Sequence, residues 1–313
     1  MARRKKGLKI DGWINLNKPV GVTSTQALNI VRKALNAQKA GHAGTLDPLA
    51  SGVLPLALGE ATKTVPYAQD ALKTYVFTVT WGEQRTTDDA EGDVIASSDK
   101  RPAREGIAAL LPSFTGDIEQ IPPQFSAIKI DGQRAYDLAR EGETVEIKSR
   151  PVYIESLTLD ETTGDTATFT CVCGKGTYVR SLARDMGQKL GCYGYISRLE
   201  RTAVGAFTLE GAISLDFFKE MGDNAAVDAA ILPVQTVLDD IPALALNDQE
   251  AARLKQGRSL VFMSRPDQER LHQARLDEME PEEVALAVTL NGKALALISV
   301  DGPTIKPVKS FNL

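Results

Sequence analysis

One aspartate, Asp47, stands in the stretch Gly41-His42-Ala43-Gly44-Thr45-Leu46-Asp47-Pro48-Leu49-Ala50-Ser51-Gly52-Val53-Leu54. Three glycines there open backbone conformations closed to other residues, and Pro48 fixes one dihedral directly after the acid. The apolar run Val53-Leu54-Pro55-Leu56-Ala57-Leu58 follows at once. A carboxylate on a stiff loop beside a buried strand is suited to act as a nucleophile or a base. The same residues also describe a plain Asp-Pro turn. A phosphate cradle at Gly41 to Gly44 lacks the Gly-Lys-Ser/Thr continuation that would carry it.

Other chemistries have fewer parts to work with. The chain has two histidines, His42 and His272, and three cysteines, Cys171, Cys173 and Cys192. These lack the spacing of a four-ligand zinc site, and an odd count with a C-x-C pair is not a disulfide framework. No metal and no cofactor are expected, and two histidines leave little room for a His-based triad. Glycoside hydrolysis would need a second carboxylate across the bond from Asp47, and nothing in the sequence sets Glu60 or Asp88 there. Positive charge interleaved with aromatic rings does occur. Lys129, Arg134 and Arg140 alternate with Phe125 and Tyr136 behind the stiff Pro122-Pro123 pair. That composition suits a loop gripping RNA through phosphates and stacking.

Several elements must position these residues. Gly12 to Leu16 reads as a strand, and Thr23 and Gln26 have capping-box spacing ahead of a helix with Ala27, Ile30, Val31, Ala34 and Leu35 on one face. Lys73 to Trp81 is rich in β-branched and aromatic residues and reads as a strand with Tyr75, Phe77, Val79 and Trp81 sharing a face. Strands are also predicted over Val152–Leu159 and Thr166–Cys173, with Cys171 and Cys173 as small packing residues. A charged, irregular region is expected after Asp93. Thr177 is predicted to cap a helix with the stripe Val179, Leu182, Ala183, Met186 and Leu190, ending at Gly191. Tyr178 and Arg180 fall in its first turn. Residues 231–242 read as a connector, 251–258 as a helix, and Asn291-Gly292 as a hairpin turn.

The 313 residues suffice for two domains, and the 43% hydrophobic and 25% charged fractions are ordinary for a soluble protein. No apolar run reaches the length of a bilayer span, and the basic start of the chain lacks a signal-peptide core, so a cytoplasmic protein is expected. The formal charge of −5 is unusual for a nucleic-acid binder. Residues 267–283 account for much of it and read as a solvated helix face, leaving a local basic cleft possible.

The uninterrupted string from Gly41 through Gly59-Glu60-Ala61-Thr62-Lys63 and the string Gly174 to Gly187 resemble the TruB family of bacterial tRNA pseudouridine synthases, which isomerise uridine 55 of the T loop. Lys18-Pro19 resembles the family's first motif, and Thr86 to Asp93 is a further family-like string. The resemblance covers most of residues 10–240. It implies an α+β fold: a mixed, mainly antiparallel catalytic sheet with flanking helices over 10–240, an RNA-gripping insertion at about 120–150, and a small β-rich, PUA-like RNA-binding domain over 241–313. It implies Asp47 as the catalytic carboxylate, Tyr75 as a ring stacking on the uracil, and Arg180 as a guanidinium fork holding Asp47 bidentately. His42 would fill the space left by a flipped base, and Leu199 would pack against that base. Lys18, Lys63 and Tyr178 join the substrate-binding set, with Lys129, Arg134 and Arg140 on the RNA. Asp47 would either attack C1′ or remove a ribose proton to give a glycal. The implied partner is tRNA, for a monomer with no membrane attachment and no obligate protein partner. An RNA-binding protein acting mainly as a tRNA folding chaperone is the alternative.

Overall fold

A computed structural model describes residues 7–126, 129–130, 133–134, 147–220, 230–280 and 282–313. Its first strands are β1 (Gly12–Lys18), β2 (Ala40–His42), β3 (Ser51–Leu58) and β4 (Lys73–Trp81). A hairpin of β5 (Glu83–Arg85) and β6 (Val94–Ser97) precedes β7 (Gly116–Gln120), and a second hairpin pairs β8 (Lys129–Ile130) with β9 (Gln133–Arg134). Then come β10 (Arg150–Thr162), β11 (Thr166–Cys173), β12 (Gly194–Val204), β13 (Phe207–Thr208) and β14 (Ile213–Ser214). Ten strands form one sheet, with the order β14-β1-β3-β12-β4-β11-β10-β7 and with β2 on β3 and β13 on β12. Only the β1–β14 and β3–β12 pairs are parallel. The sheet is therefore mixed and mainly antiparallel, as the α+β reading requires.

Helices α1 (Ser24–Ala34), α2 (Val65–Asp70), α3 (Arg104–Leu110) and α4 (Val179–Lys189) accompany it. Thr23 and Gln26 close a capping box on α1, whose Ala27 and Val31 are wholly buried. Helix α4 buries Val179, Leu182, Ala183 and Met186 in the same core as Phe77 and Phe169. Those two rings stack at 5.3 Å, an arrangement worth roughly 0.5–1.5 kcal/mol beyond burial. Gly191, at φ +67°, ends the helix as expected.

Three local expectations need correction. Thr177 does not cap α4, because its hydroxyl donates to Gly174 O (3.2 Å). Tyr178 is the N-cap residue instead, and Gln120 brackets its backbone, with Oε1 accepting from Tyr178 N–H at 2.8 Å and Nε2 donating to Tyr178 O at 3.1 Å. The region after Asp93 is not irregular, since it forms β6, α3 and β7. The acidic run is only partly helical: a helix covers Arg265–Gln273, and Asp277 to Glu280 lie beyond it. The connector read over 231–242 starts out paired to the large sheet, with Trp13 and Leu232 exchanging both backbone hydrogen bonds at 2.8 Å.

The remaining strands, β15 (Ala243–Leu246), β16 (Leu260–Val261), β17 (Ala285–Thr289), β18 (Ala294–Asp301) and β19 (Thr304–Ser310), form a separate five-stranded sheet in the order β15-β17-β18-β19-β16. Gly292 (φ +76°) serves the turn between β17 and β18. One face carries its own core, including Leu254, Leu271 and Leu295. Leu286, Leu297 and Phe311 join a second cluster with Trp13, Ala57 and Phe207 of the large sheet. No helix among the described residues is long and apolar enough to cross a membrane.

Candidate active site

The loop between β2 and β3 presents Asp47, and backbone bonds hold it at several points. Ala43 N–H donates to Pro55 O (2.9 Å), Ala50 N–H to Asp47 O (3.1 Å), and Gly21 N–H to Pro48 O (2.8 Å). The buried Ser24 hydroxyl brackets Leu46, accepting from its N–H at 2.8 Å and donating to its carbonyl at 3.0 Å. Gly52 sits at φ +102°, where a Cβ would lie 2.2 Å from Arg201 O, so only glycine fits. The Asp47 side chain remains 38% exposed. A rigid loop thus leaves one carboxylate open to solvent.

Arg180, on the first turn of α4, is 6% exposed, and its Nε lies 3.0 Å from Asp47 Oδ2. The expected fork is not what the structure contains. Nη1 donates to Thr87 O (3.0 Å) and lies 3.7 Å from Asp89 Oδ2, while Nη2 donates to Phe125 O (2.9 Å). Two backbone carbonyls and a second carboxylate occupy the fork, and Nε is the nitrogen nearest Asp47. This geometry fixes the guanidinium first and the carboxylate through it.

Asp89 was not among the residues singled out from sequence. It is buried and fixed by the Thr87 hydroxyl at 2.5 Å and by Glu91 N–H at 3.0 Å. Beside it, Asp88 adopts φ +60° and faces Arg184 Nη1 at 3.1 Å. Burial pushes the Asp88 carboxyl up to about 6, with Arg184 and Arg180 opposing the rise. Arg184 also donates to Ile121 O (2.7 Å). A sequence signal existed for both pairs, because Arg180 and Arg184 stand four apart and therefore share a helix face.

Several expected residues lie around this loop. Lys18 is wholly buried, with Nζ donating to Pro19 O (2.8 Å) and Val22 O (2.7 Å). Burial pulls its ammonium down to about 8, against the nearby charge of Asp47. His42, on β2, is lowered by burial and by the Arg201 charge, and its buried Nδ1 has no hydrogen-bond partner among the described residues. Tyr75 is half-buried on β4, where burial raises its phenol while the charge of Arg201 opposes the rise. Leu199, 7% exposed, packs in the main core.

The other expected residues lie apart from Asp47's direct partners. The Tyr178 ring lies under the Arg150 guanidinium at 5.1 Å. Lys63 binds Glu60 Oε2 (2.6 Å) and Ser310 O (2.7 Å), which puts it at the seam with the five-stranded sheet. Lys129 and Arg134 are register partners in the β8–β9 hairpin. Arg140 and Tyr136 lie outside the described residues. No cluster of three or more His, Cys, Asp or Glu suited to a metal occurs among the described residues. The three cysteines are free and buried, in keeping with a packing role.

Comparison with known proteins gives a consistent picture. Residues 32–179 match the family described as TruB family pseudouridylate synthase (N terminal domain), and residues 180–239 match the tRNA pseudouridylate synthase B C-terminal domain. The chain is 52% identical to tRNA pseudouridine synthase B of Bradyrhizobium diazoefficiens, over 99% of this chain and 88% of that protein. Identity to the enzyme of the same name from Caulobacter vibrioides is 49%, with both chains covered fully. Among solved structures, the chain resembles one in a Cbf5-Nop10-Gar1 complex, with a TM-score of 0.70, 27% identity, and coverage of 96% of this chain and 84% of that one. It shares its fold with a chain of an H/ACA RNP bound to a substrate RNA containing 2'-deoxyuridine (TM-score 0.72, 23% identity, covering 100% and 92%).

Proposed function

This chain belongs to the TruB family of pseudouridylate synthases, and we propose that it converts uridine 55 in the T loop of tRNA to pseudouridine with Asp47 as the reacting carboxylate. The observation that carries the reading is one exposed carboxylate on an otherwise pinned loop, aimed by the Nε of a buried arginine. Isomerisation breaks the N1–C1′ bond, turns the uracil and joins C5 to C1′, with no net redox change and no water consumed. Asp47 serves it by attack at C1′ or by taking a ribose proton, and both routes need the carboxylate fixed beside the sugar.

The uridine must leave the folded loop first, at a cost of a few kcal/mol. In this reading His42 occupies the vacated space. Its lowered pKa makes it neutral at physiological pH, so it fills that space without adding charge. Tyr75 stacks on the uracil and Leu199 packs beside it. Lys18 and Tyr178 flank the nucleotide. Lys129, Arg134 and Arg140 grip the stem, and Lys63 and residues 241–313 supply a PUA-like RNA contact. The enzyme acts as a cytoplasmic monomer.

The test is incubation of the protein with a tRNA transcript, followed by mapping of every pseudouridine. One new pseudouridine at position 55 is expected, and a different site would overturn the positional part alone. Asp47→Asn should lower the rate at least about 10³-fold while the melting temperature stays within a few degrees. A variant that still forms pseudouridine would falsify the role given to Asp47. Acceleration of tRNA refolding, undiminished in Asp47→Asn, would instead favour the chaperone reading.

A further inference from the structure

Arg201 is 1% exposed and among the largest wholly buried side chains of the chain. Among the described residues no carboxylate lies within ion-pair distance of it, whereas the other deeply buried arginine, Arg180, has two. A buried guanidinium stays charged, and leaving it without a carboxylate is costly. Its partners are backbone oxygens instead: Nε donates to Val53 O (2.8 Å) and Nη2 to Gly44 O (3.1 Å). These carbonyls lie on either side of Asp47 in sequence. The arginine therefore spans the two limbs of the loop from beneath, while its own backbone stands against Gly52 in parallel pairing. On the next strand, Arg201 and Tyr75 are cross-strand partners, and the charge of the guanidinium acts on the phenol.

We propose that Arg201 is a positioning residue that ties together both limbs of the Asp47 loop beside Tyr75, its cross-strand partner, setting the distance between carboxylate and aromatic ring. This rests on the reading of Asp47 as the reacting group. The fork matters as well as the charge. A lysine has the charge but presents one nitrogen, which cannot reach Gly44 O and Val53 O from the two directions a planar guanidinium commands. Lys18 and His42 also face this charge, and Lys73 lies within its field from the start of β4.

The experiment compares Arg201→Lys and Arg201→Gln with wild type by melting temperature, affinity for a T-stem-loop RNA, and single-turnover rate of pseudouridine formation. A positioning role predicts RNA affinity within about threefold of wild type for both folded variants. It also predicts a rate lowered about 100-fold in Arg201→Lys as well as in Arg201→Gln. Tyr75→Phe, made in wild type and in Arg201→Lys, should cost much less in the second background, because the planar guanidinium beside the hydroxyl is gone. A wild-type rate in Arg201→Lys, or equal Tyr75→Phe effects in both backgrounds, overturns the proposal. Failure of both variants to fold also overturns it by assigning Arg201 to folding alone. Asp47→Asn, assayed in parallel, separates the two readings. If it is active, the role of Asp47 fails; if it is inactive while Arg201→Lys is fast, only the Arg201 proposal fails.

Discussion

Among the described residues, Lys18, Lys73, Asp88, Asp89, Arg180 and Arg201 are all less than a tenth exposed, and all belong to the ten-stranded sheet or to segments packed on it. The five-stranded sheet buries no charged side chain; its core is residues such as Leu244, Leu254, Leu271 and Ile298. Removing an ion from water costs several kcal/mol unless partners compensate. The first region bears that cost repeatedly: Lys18, Arg180 and Arg201 act on the Asp47 loop through contact or charge, and Asp89 faces Arg180. The second region avoids it and is optimised for packing. The difference marks which half of the molecule is arranged for chemistry, independently of any motif.

Substitutions can strain that contrast. Arg180→Gln has the largest expected effect, because it strands Asp89 and the carbonyls of Thr87 and Phe125. We expect a loss of about 3–5 kcal/mol in urea unfolding, together with a rate lowered at least about 100-fold from the misaimed Asp47. Retained stability would mean that the buried ions of the large sheet are less interdependent than their geometry implies. Leu297→Ala, in the seam between the sheets, should cost about 2–5 kcal/mol and leave the rate per folded molecule within about twofold. A selective loss of rate there would break the division of labour.

Asp88 gives the smallest and most specific test. Its carboxyl is raised by burial from 3.8 to about 6, so between these values the folded protein holds a proton that the unfolded chain has released. The associated stability is fully present below about pH 4 and is lost as pH rises through about 6, on the order of a few kcal/mol. Asparagine tolerates φ +60° and cannot titrate. Urea midpoints of wild type should therefore decline from pH 4 to 6, and those of Asp88→Asn should lack that decline. An unchanged decline would assign the titration to another group.

Much of the architecture was legible because local signals agreed. The Thr23–Gln26 box, the alternation in Lys73–Trp81 and the Asn291-Gly292 turn each coincide with the element observed. Thr177 misled because its hydroxyl donates to Gly174 O and the N-cap falls one residue later at Tyr178, whose backbone is held by Gln120, some sixty residues away in sequence. The site was legible at Asp47 and Arg180, whose surroundings are short strings. Asp89 and Arg201 were not, since their significance lies in which distant backbone oxygens they meet. The fork on Asp47 failed for the same reason: sequence shows that a guanidinium is present, but not how many carbonyls compete for it.

The place of β12 in the large sheet has a consequence for how the molecule is made. Strands β3 and β4 are neighbours along the chain, yet β12 lies between them, and Arg201 reaches back 148 residues to Val53. Until that strand inserts, β3 and β4 present unpaired edges, and contacts of such long range are slow to close. The Asp47 loop therefore acquires its final shape late, after nearly two-thirds of the chain has been synthesised. Recovery of activity during refolding would then time the closure of the central sheet, and a chaperone that shields those edges would act before any catalytic competence exists.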